Sequence, residues 1–321
     1  MPADPAKMML GDRDNATQLD AINKKYHFDK PIYKQYLYYI NDLSPISVHF
    51  NEPVYSSYIK FPLGDSTLVA FKKPYLRTSF YQKNVLVSSL IASAIPNTFV
   101  LAISAILFAL FLGIPMGILA AFFKDKFLDR FISFFSVLGM SLPSFLAAVL
   151  IGYLFAYKLQ WLTNFNITGS LFIVDDSGEG EVLCLKNLIL PAFTLGIRPL
   201  GVIVHLTRAA LIDELNKDYI FLARSKGFSM IYVILNHALR NSMTSVVTAA
   251  SGWFAGMLSG AVFIEYIFGW NGLGKLLVDG LISVDFPLVM GVILVIASCF
   301  IVINILVDLI YIWLDPRVKI N

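Results

Sequence analysis

One short pattern in this sequence resembles a nucleotide-binding site. Gly269-x4-Gly274-Lys275 nearly matches the glycine-rich loop that holds nucleotide phosphates with backbone N–H groups. In that loop a hydroxyl residue follows the lysine and coordinates Mg²⁺, whereas Leu276 stands here and no apolar strand precedes the pattern. A turn at a membrane surface therefore explains the pattern better, and we expect no ATP site in this chain.

Ser141 and His205 could form a nucleophile–base pair of the kind used by an intramembrane serine hydrolase. Such a pair also needs a residue that orients the histidine, and the sequence supplies none. Ser141 stands two residues before Pro143, which favours a kinked helix with small residues at its packing surface. The hydrolase remains the alternative from another functional class.

Residues that bind metals or form disulfides are few and scattered. The chain has four histidines and two cysteines, and none of them forms a His-Glu-x-x-His or paired-cysteine pattern. They are His27, His49, His205, His237, Cys184 and Cys299. We therefore expect no metal site and no catalytic residue.

The composition indicates which kind of fold must position these residues. The chain has 321 residues, 57% of them hydrophobic and 15% charged, with a mean hydropathy of +0.69. Soluble domains are about 25% charged. Residues 1–83 hold 11 Lys/Arg and 8 Asp/Glu, whereas residues 84–321 hold only 14 of each. This pattern predicts a polar N-terminal region before a membrane domain, and the net charge of +3 argues against a nucleic-acid partner.

Five stretches are long and apolar enough to cross a membrane, which takes about 20 residues of helix. They are Asn97–Phe123, Phe131–Tyr157, Leu188–Ile212, Asn241–Ile264 and Phe286–Val307. Pro96 is predicted to separate the first span from an interfacial helix over Val85–Ile95, because the residue before a proline disfavours helix. The predicted fold class is an all-α polytopic membrane protein with five visible transmembrane helices.

Basic residues in the loops predict the orientation, since Lys and Arg accumulate on the cytoplasmic side. Those assigned to the cytoplasm are Lys124, Lys126, Arg130, Lys217, Arg224, Lys226, Arg240, Arg317 and Lys319. The C-terminus is then cytoplasmic, and residues 1–95 form an extracytoplasmic region before a membrane domain over 96–321. All five spans follow that region, so none of them can carry it across the membrane. Met1–Gly11 also lacks the features of a signal peptide. We therefore expect a first transmembrane helix that this chain lacks.

Arg198 and His205 are the polar residues deepest in the third apolar stretch. Arg198 follows Leu188 by ten residues, about 15 Å of helix, where a charge costs roughly 2.5–3.5 kcal/mol. The two side chains share a helix face because they are seven residues apart. They could line a polar path across the membrane. Alternatively the helix starts later or breaks at Pro199, and Arg198 reaches the membrane surface. Arg208 is expected to extend to the cytoplasm.

The cytoplasmic loop over residues 213–241 has the pattern helix–glycine–helix. Acidic residues open its first segment, where a helix dipole favours them. Gly227 suits the position just beyond a helix C-terminus, and Ser229 suits the N-cap of a second helix. Such an element can present a short rigid knob to a partner, although an ordinary solvated loop would show the same pattern.

The residues of this loop resemble the "EAA" loop of ABC importer permeases, in the form found in the dipeptide/oligopeptide/nickel permease family. The matching pattern is Tyr219-x3-Ala223-Arg224-x-Lys226-Gly227-x9-His237-Ala238-Leu239-Arg240-Asn241. Of the Glu-Ala-Ala that names the loop, only the second alanine is kept, as Ala223. This chain also resembles these permeases at Pro2–Ala6, at Glu265–Gly274, at Asp285–Pro287 and over Asn304–Arg317. Residues 44–80 are the least similar.

The resemblance implies a role and a set of partners. Two permeases would pair about a pseudo-twofold axis in a bacterial plasma membrane. Two ATPase subunits, which bind the ATP and Mg, would dock on the loops and rock the permeases between inward- and outward-facing states. An extracytoplasmic binding protein would deliver a peptide, or else a nickel chelate or another small solute. The implied coupling residues are Tyr219, Ala223, Arg224, Lys226, Gly227, His237 and Arg240, and Arg198 and His205 could lie near a peptide carboxylate. A gated channel would not need this loop.

Overall fold

The structure is a computed structural model that describes residues 6, 16–49, 58–62, 68–82, 85–174 and 180–314. The chain divides into two compact units, one of Met1–Ser93 with Leu276–Leu294 and one of Ala94–Lys275 with Val295–Asn321. Three features used in the sequence analysis lie outside the described residues. They are the Pro2-Ala3-Asp4-Pro5 stretch, the basic tail with Arg317 and Lys319, and the acidic residues within 175–179.

The N-terminal part combines two helices with a three-stranded antiparallel sheet of strand order β1-β3-β2. Its elements are α1 (Ala16–Tyr26), α2 (Ile32–Leu43), β1 (Ile46–His49), β2 (Tyr58–Pro62) and β3 (Leu68–Lys72). Phe71 of β3 stands opposite Ile46 on one side and Ile59 on the other. The all-α prediction missed this sheet because its strands are only four or five residues long and lie where the family resemblance is weakest.

The rest of the described chain is helical apart from a short hairpin. Its elements are α3 (Val87–Phe122), α4 (Phe127–Ser141), α5 (Ser144–Lys158), α6 (Gln160–Thr163), β4 (Phe172–Val174), β5 (Glu181–Leu183), α7 (Lys186–Leu215), α8 (Asp218–Ser225), α9 (Met230–Val233), α10 (Leu239–Gly260), α11 (Val262–Ile267), α12 (Leu273–Ile282) and α13 (Phe286–Leu314). A π-helical turn, Ile234–Ala238, joins α9 to α10.

One predicted helix break, at Pro96, is wrong, and a second that was left as an alternative, at Pro199, does not occur. Helix α3 runs without interruption through Pro96, so Val85–Ile95 is not a separate interfacial helix. Helix α7 likewise runs through Pro199, so Arg198 does not lie at a helix start. A proline removes one backbone hydrogen bond, but ending the helix in apolar surroundings would leave several backbone groups unpaired. Continuation therefore costs less than a break.

Close helix crossings place α7 against α3 and α4. A Cβ on Gly117 of α3 would lie 2.5 Å from the Cβ of Thr207. A Cβ on Gly201 of α7 would lie 2.6 Å from the carbonyl oxygen of Ser136 in α4. Only a residue without a side chain fits at either crossing, as is common where membrane helices pack. The core around these crossings contains Leu101, Ile203, Val246 and Ile264, all fully buried.

Three described helical stretches have the length and composition of membrane spans, namely Val87–Phe122, Lys186–Leu215 and Phe286–Leu309. Helices α4 and α5 meet at a bend of 109° and would make a fourth if the pair is one span. This bend confirms the kink predicted at Pro143. Among the described residues, α10 has 22 residues but is not apolar enough to meet the same criterion. The count of five spans therefore remains a prediction.

In the first unit, Asp285 holds a loop against the start of α13. Its buried carboxylate accepts hydrogen bonds from the backbone N–H groups of Phe80, at 3.1 Å, and of Leu288, at 3.3 Å. The hydroxyl of Ser79 donates to the same carboxylate. An aspartate at this position caps the free N–H groups of a helix start, which accounts for the Asp-Phe-Pro pattern seen in the sequence.

Candidate functional site

The loop between α7 and α10 has the predicted helix–glycine–helix geometry. Helix α8 ends at Ser225, and Gly227 follows with a φ of +89°, the left-handed conformation that favours glycine. Ser229 caps α9, since its hydroxyl accepts a hydrogen bond from the N–H of Tyr232 at 3.4 Å. A Cβ on Gly227 would meet no atom of the described residues within 4 Å. The backbone conformation, and not a close approach by any of those residues, is what requires this glycine.

One side of the loop is buried against the ends of the membrane helices. This loop core consists of Ala121, Leu211, Ile220, Ala223, Val233, Ile234 and Ala238. Ala121 belongs to the last turn of α3 and Leu211 to the end of α7. Ala223, predicted as a coupling residue, is thus a packing residue that fixes α8 to the membrane helices. The loop core makes α8 and α9 a rigid extension of α3 and α7.

A polar network around Glu214 fixes where the loop leaves α7. The buried carboxylate of Glu214 accepts hydrogen bonds from the Lys217 ammonium group and from the Tyr219 hydroxyl. The Asn241 side-chain amide donates to the same hydroxyl at 3.0 Å. Burial, followed by the bond to Glu214, raises the pKa of Tyr219, so its hydroxyl stays protonated. Tyr219 therefore ties the beginning of the loop to its end.

The opposite side of the loop is exposed and combines basic with apolar groups. The predicted residues Arg224, Lys226, Gly227 and Arg240 are exposed there, and so are the unpredicted Phe221, Leu222, Phe228, Ile231, Tyr232 and Leu235. We call these ten residues the loop surface. The side chain of His237 is half-buried, with ring centroids 6.5 Å from Phe228 and 5.9 Å from Tyr232. The apolar members carry no motif, although their helical spacing opposite the loop core is a signal that could have found them.

Arg198 and His205 do not meet in a shared polar contact. Arg198 is exposed, with its guanidinium carbon 5.8 Å from the ring centroid of Trp253 in α10. His205 is half-buried, and its Nε2 atom has no hydrogen-bond partner among the residues that the structure describes. The hydroxyl of Ser141 donates to the carbonyl of Val137 at 2.8 Å. The nucleophile–base hydrogen bond of a hydrolase is therefore not formed.

Arg208, which is predicted to extend to the cytoplasm, forms an ion pair with Asp129 of α4. Its guanidinium forms two hydrogen bonds with the carboxylate of Asp129, at 2.6 and 2.7 Å. The same carboxylate accepts from the N–H of Asp125 at 2.8 Å. Desolvation at this partly buried site favours pairing with a carboxylate over a free charge. This bridge between α4 and α7 was missed because its partners are 79 residues apart.

The glycine-rich pattern at Gly269–Lys275 has a different use from phosphate binding. The backbone N–H groups of Gly274 and Lys275 donate to the buried carboxylate of Glu265, at 2.7 and 3.3 Å. A carboxylate of this chain thus occupies the donors that would hold a phosphate. Glu265 lies outside the candidate spans. Burial raises its pKa to about 7, although hydrogen bonds from Thr98 and the two N–H groups oppose the shift.

Comparison with known proteins identifies the family. Residues 113–320 match the model of the binding-protein-dependent transport system inner membrane component. The chain belongs to this family. It is therefore a multi-pass membrane permease, and the matched region contains α7, the whole loop and the helices that follow it.

Relatives are similar over nearly the whole chain. A permease protein assigned to a D,D-dipeptide transport system of Escherichia coli (strain K12) is 31% identical over 99% of this chain and 89% of its own length. A permease protein assigned to peptide transport in Brucella suis biovar 1 (strain 1330) is 33% identical, covering 100% and 91%. The glutathione transport system permease protein of E. coli O6:H1 is 31% identical, covering 99% and 90%.

Solved structures of ABC transporters share the fold of this permease. An inward-facing structure of the MetNI methionine ABC transporter superposes with a TM-score of 0.57 and 15% identity, covering 70% of this chain and 95% of the matched chain. An amino acid ABC transporter gives a TM-score of 0.50, also at 15% identity, with coverage of 70% and 94%. At this identity the similarity concerns the fold alone.

Proposed function

We propose that this permease forms the membrane path of an ATP-driven importer of di- or oligopeptides. The observation that carries the proposal is the loop surface, a rigid and exposed group of apolar and basic residues that no part of the described chain covers. A transient or permanent partner is the usual reason for such a patch. Relatives assigned to D,D-dipeptide, peptide and glutathione transport support a peptide-type solute.

The partners follow from the family and from the loop. Two ATP-binding subunits would hold the ATP and Mg, and one of them would seat the loop surface in a groove. A sister permease would complete the path, and an extracytoplasmic binding protein would deliver the solute. Because α8 and α9 are joined to α3 and α7 by the loop core, closure of the ATPases would tilt these helices as rigid bodies. This chain itself would then carry no catalytic residue.

The proposed topology keeps the loop in the cytoplasm and residues 1–95 outside, with five spans in the bacterial plasma membrane. The exposed aromatic rings of Tyr153, Tyr157 and Trp161 support it. They follow one another at helical spacing where α5 meets α6, and such residues gather at membrane–water interfaces. These rings support placing the end of α5 at one membrane surface, which in the proposed topology is opposite the basic loop of 124–130.

Arg198 is proposed to line the solute path. It is exposed although it lies near the middle of α7, and its contact with Trp253 turns it toward α10. A guanidinium there could meet the carboxylate of a peptide. His205 lies on the same helix face, and its Nε2, which no described residue pairs, could serve the same path. A nickel chelate or another small solute is the alternative within the family. An intramembrane hydrolase is the alternative from another class.

Co-purification followed by uptake tests the proposal. We expect the tagged permease to bring two ATP-binding subunits and a sister permease out of the membrane. Vesicles that contain this complex and its binding protein should accumulate radiolabelled alanyl-alanine only when ATP is supplied. Arg198→Ala should lower uptake at unchanged assembly. A permease that purifies alone, or one that cleaves peptides in the membrane, would contradict the proposal.

A further inference from the structure

Helix α3 joins the loop to a second, distant contact. At one end, Ala121 is buried in the loop core. At the other end, Thr98 is 1% exposed and contacts Glu265. The two positions are 23 residues apart on one uninterrupted helix, which is about 35 Å along its axis. One continuous helix, with Pro115 inside it, therefore connects the loop to the chain segment around Glu265.

The contact at the far end is a closed hydrogen-bond cluster. The hydroxyl of Thr98 donates to one carboxylate oxygen of Glu265 at 2.8 Å, and it accepts from the N–H of Leu273 at 2.8 Å. The other carboxylate oxygen accepts from the N–H groups of Gly274 and Lys275. Glu265 is 0% exposed, so these bonds are shielded from water. Shielded bonds of this kind hold their partners in one geometry.

The preceding residue of α3, Asn97, forms further bonds to the same segment. The carbonyl of Asn97 accepts a hydrogen bond from the indole N–H of the fully buried Trp270, at 2.9 Å. The Asn97 side-chain amide donates to the carbonyl of Asn271 at 2.8 Å. Gly272 allows this approach, because a Cβ there would lie 2.4 Å from a carboxylate oxygen of Glu265. Residues 97 and 98 together thus fix the segment Phe268–Lys275.

A helix cap alone does not explain this arrangement. A carboxylate that caps α12 needs only the free N–H groups of that helix, which Gly274 and Lys275 supply. Here Thr98 of a different helix bridges the carboxylate and Leu273. Burying an ionisable group among neutral donors also costs free energy, and buried ionisable groups of this kind are found more often at functional sites.

We propose that Glu265 is a positioning residue for transport, which fastens the segment Phe268–Lys275 to α3 so that both move as one body. The inference rests on the proposed function, in which the loop docks in a groove of an ATP-binding subunit. A tilt imposed on α3 at Ala121 then displaces Phe268–Lys275 on the extracytoplasmic side. Without the fastening, the loop and α3 still move, but the segment no longer follows.

The test uses the full complex in proteoliposomes, with a single cysteine in place of the exposed Asn271 and with Cys184→Ser and Cys299→Ser. The rate of its reaction with a membrane-impermeant maleimide is measured with and without ATP, Mg²⁺ and vanadate. We expect at least a threefold change in rate on nucleotide trapping. Glu265→Ala and Thr98→Val should abolish that change while ATP hydrolysis stays within twofold. The matched variants Glu265→Gln and Thr98→Ser should retain it.

The possible results separate the two proposals. If the unmodified permease neither assembles with ATP-binding subunits nor supports hydrolysis, the proposed function fails and this inference fails with it. If it assembles and hydrolyses ATP but residue 271 shows no change in rate, only the inference fails. A change that persists in Thr98→Val also overturns it. Thr98→Val preserves the side-chain shape, so it decides the question even if Glu265→Ala does not fold.

Discussion

The guanidinium of Arg208 donates two hydrogen bonds to the carboxylate of Asp129, at 2.6 and 2.7 Å, and so joins α7 to the first turn of α4. The Asp129 side chain is only 4% exposed and that of Arg208 26%. This pair closes the bundle next to the loop core, because Leu211 of that core stands one turn further along α7.

Removing one partner of this pair should destabilise the permease more than removing both. Arg208→Ala leaves a buried carboxylate without its cation, and we expect the free energy of unfolding to fall by about 3 kcal/mol. In the double variant Asp129→Ala, Arg208→Ala no buried charge is left unpaired, so the free energy of unfolding should fall by less. Thermal unfolding in detergent measures both, with the exposed Arg130→Ala as control. A double variant at least as unstable as the single one would contradict the pairing.

Gly227 should tolerate asparagine better than a branched residue. Its φ of +89° costs a residue with a side chain about 1–2 kcal/mol, and asparagine tolerates left-handed backbone better than other such residues. We expect Gly227→Val to reduce the amount of co-purified ATP-binding subunit at least fivefold, and Gly227→Asn to reduce it much less. Equal retention by both variants would show that this turn is not needed for association.

The apolar part of the loop surface should be needed for association and not for folding. Ile231 is 63% exposed whereas its neighbour Val233 is fully buried in the loop core. Ile231→Asp should leave the amount of folded permease unchanged and weaken association with the ATP-binding subunit about tenfold, because it places a charge in an apolar contact. Val233→Asp should instead prevent folding. A normal yield of complex with Ile231→Asp would remove this surface from the interface.

Glu265 should make the folding stability of the permease depend on pH in a specific way. Its pKa is about 7 in the folded protein and near 4.5 when unfolded, because burial disfavours the charged form. The folded state then binds this proton more tightly, so stability rises as the pH falls from about 7 to 4.5, by up to about 3 kcal/mol. Melting curves across this range should show the slope, and Glu265→Gln should remove that component. Identical slopes in both proteins would contradict the buried carboxylate.

The parts of the fold that depend on neighbouring residues could be predicted from the sequence, and the parts that depend on distant contacts could not. Gly227 and Ser229 indicate the turn by themselves, because a helix end and a helix cap are local structures. The bridge from Asp129 to Arg208 and the bond from Thr98 to Glu265 join residues 79 and 167 positions apart. No pattern in a single sequence reveals such partners.

Pro96 shows a different limit of sequence reasoning. A proline ends most helices in water, where the freed backbone groups find solvent. Helix α3 nevertheless continues through Pro96, because continuation loses one backbone hydrogen bond whereas a break in apolar surroundings would leave several backbone groups unpaired. The loop surface was only half predicted, since the family motif marks its basic residues and not its apolar ones.

Cross-linking from the loop surface tests the central claim most directly. A photoreactive amino acid replaces the exposed Lys226 in the full complex, and a second preparation carries it at Trp161, which is 81% exposed beyond α5. We expect Lys226 to yield a covalent adduct with an ATP-binding subunit and Trp161 to yield none. Absence of that adduct from Lys226, or an equal yield from Trp161, would contradict the assignment of this loop as the site where ATP hydrolysis is coupled to transport.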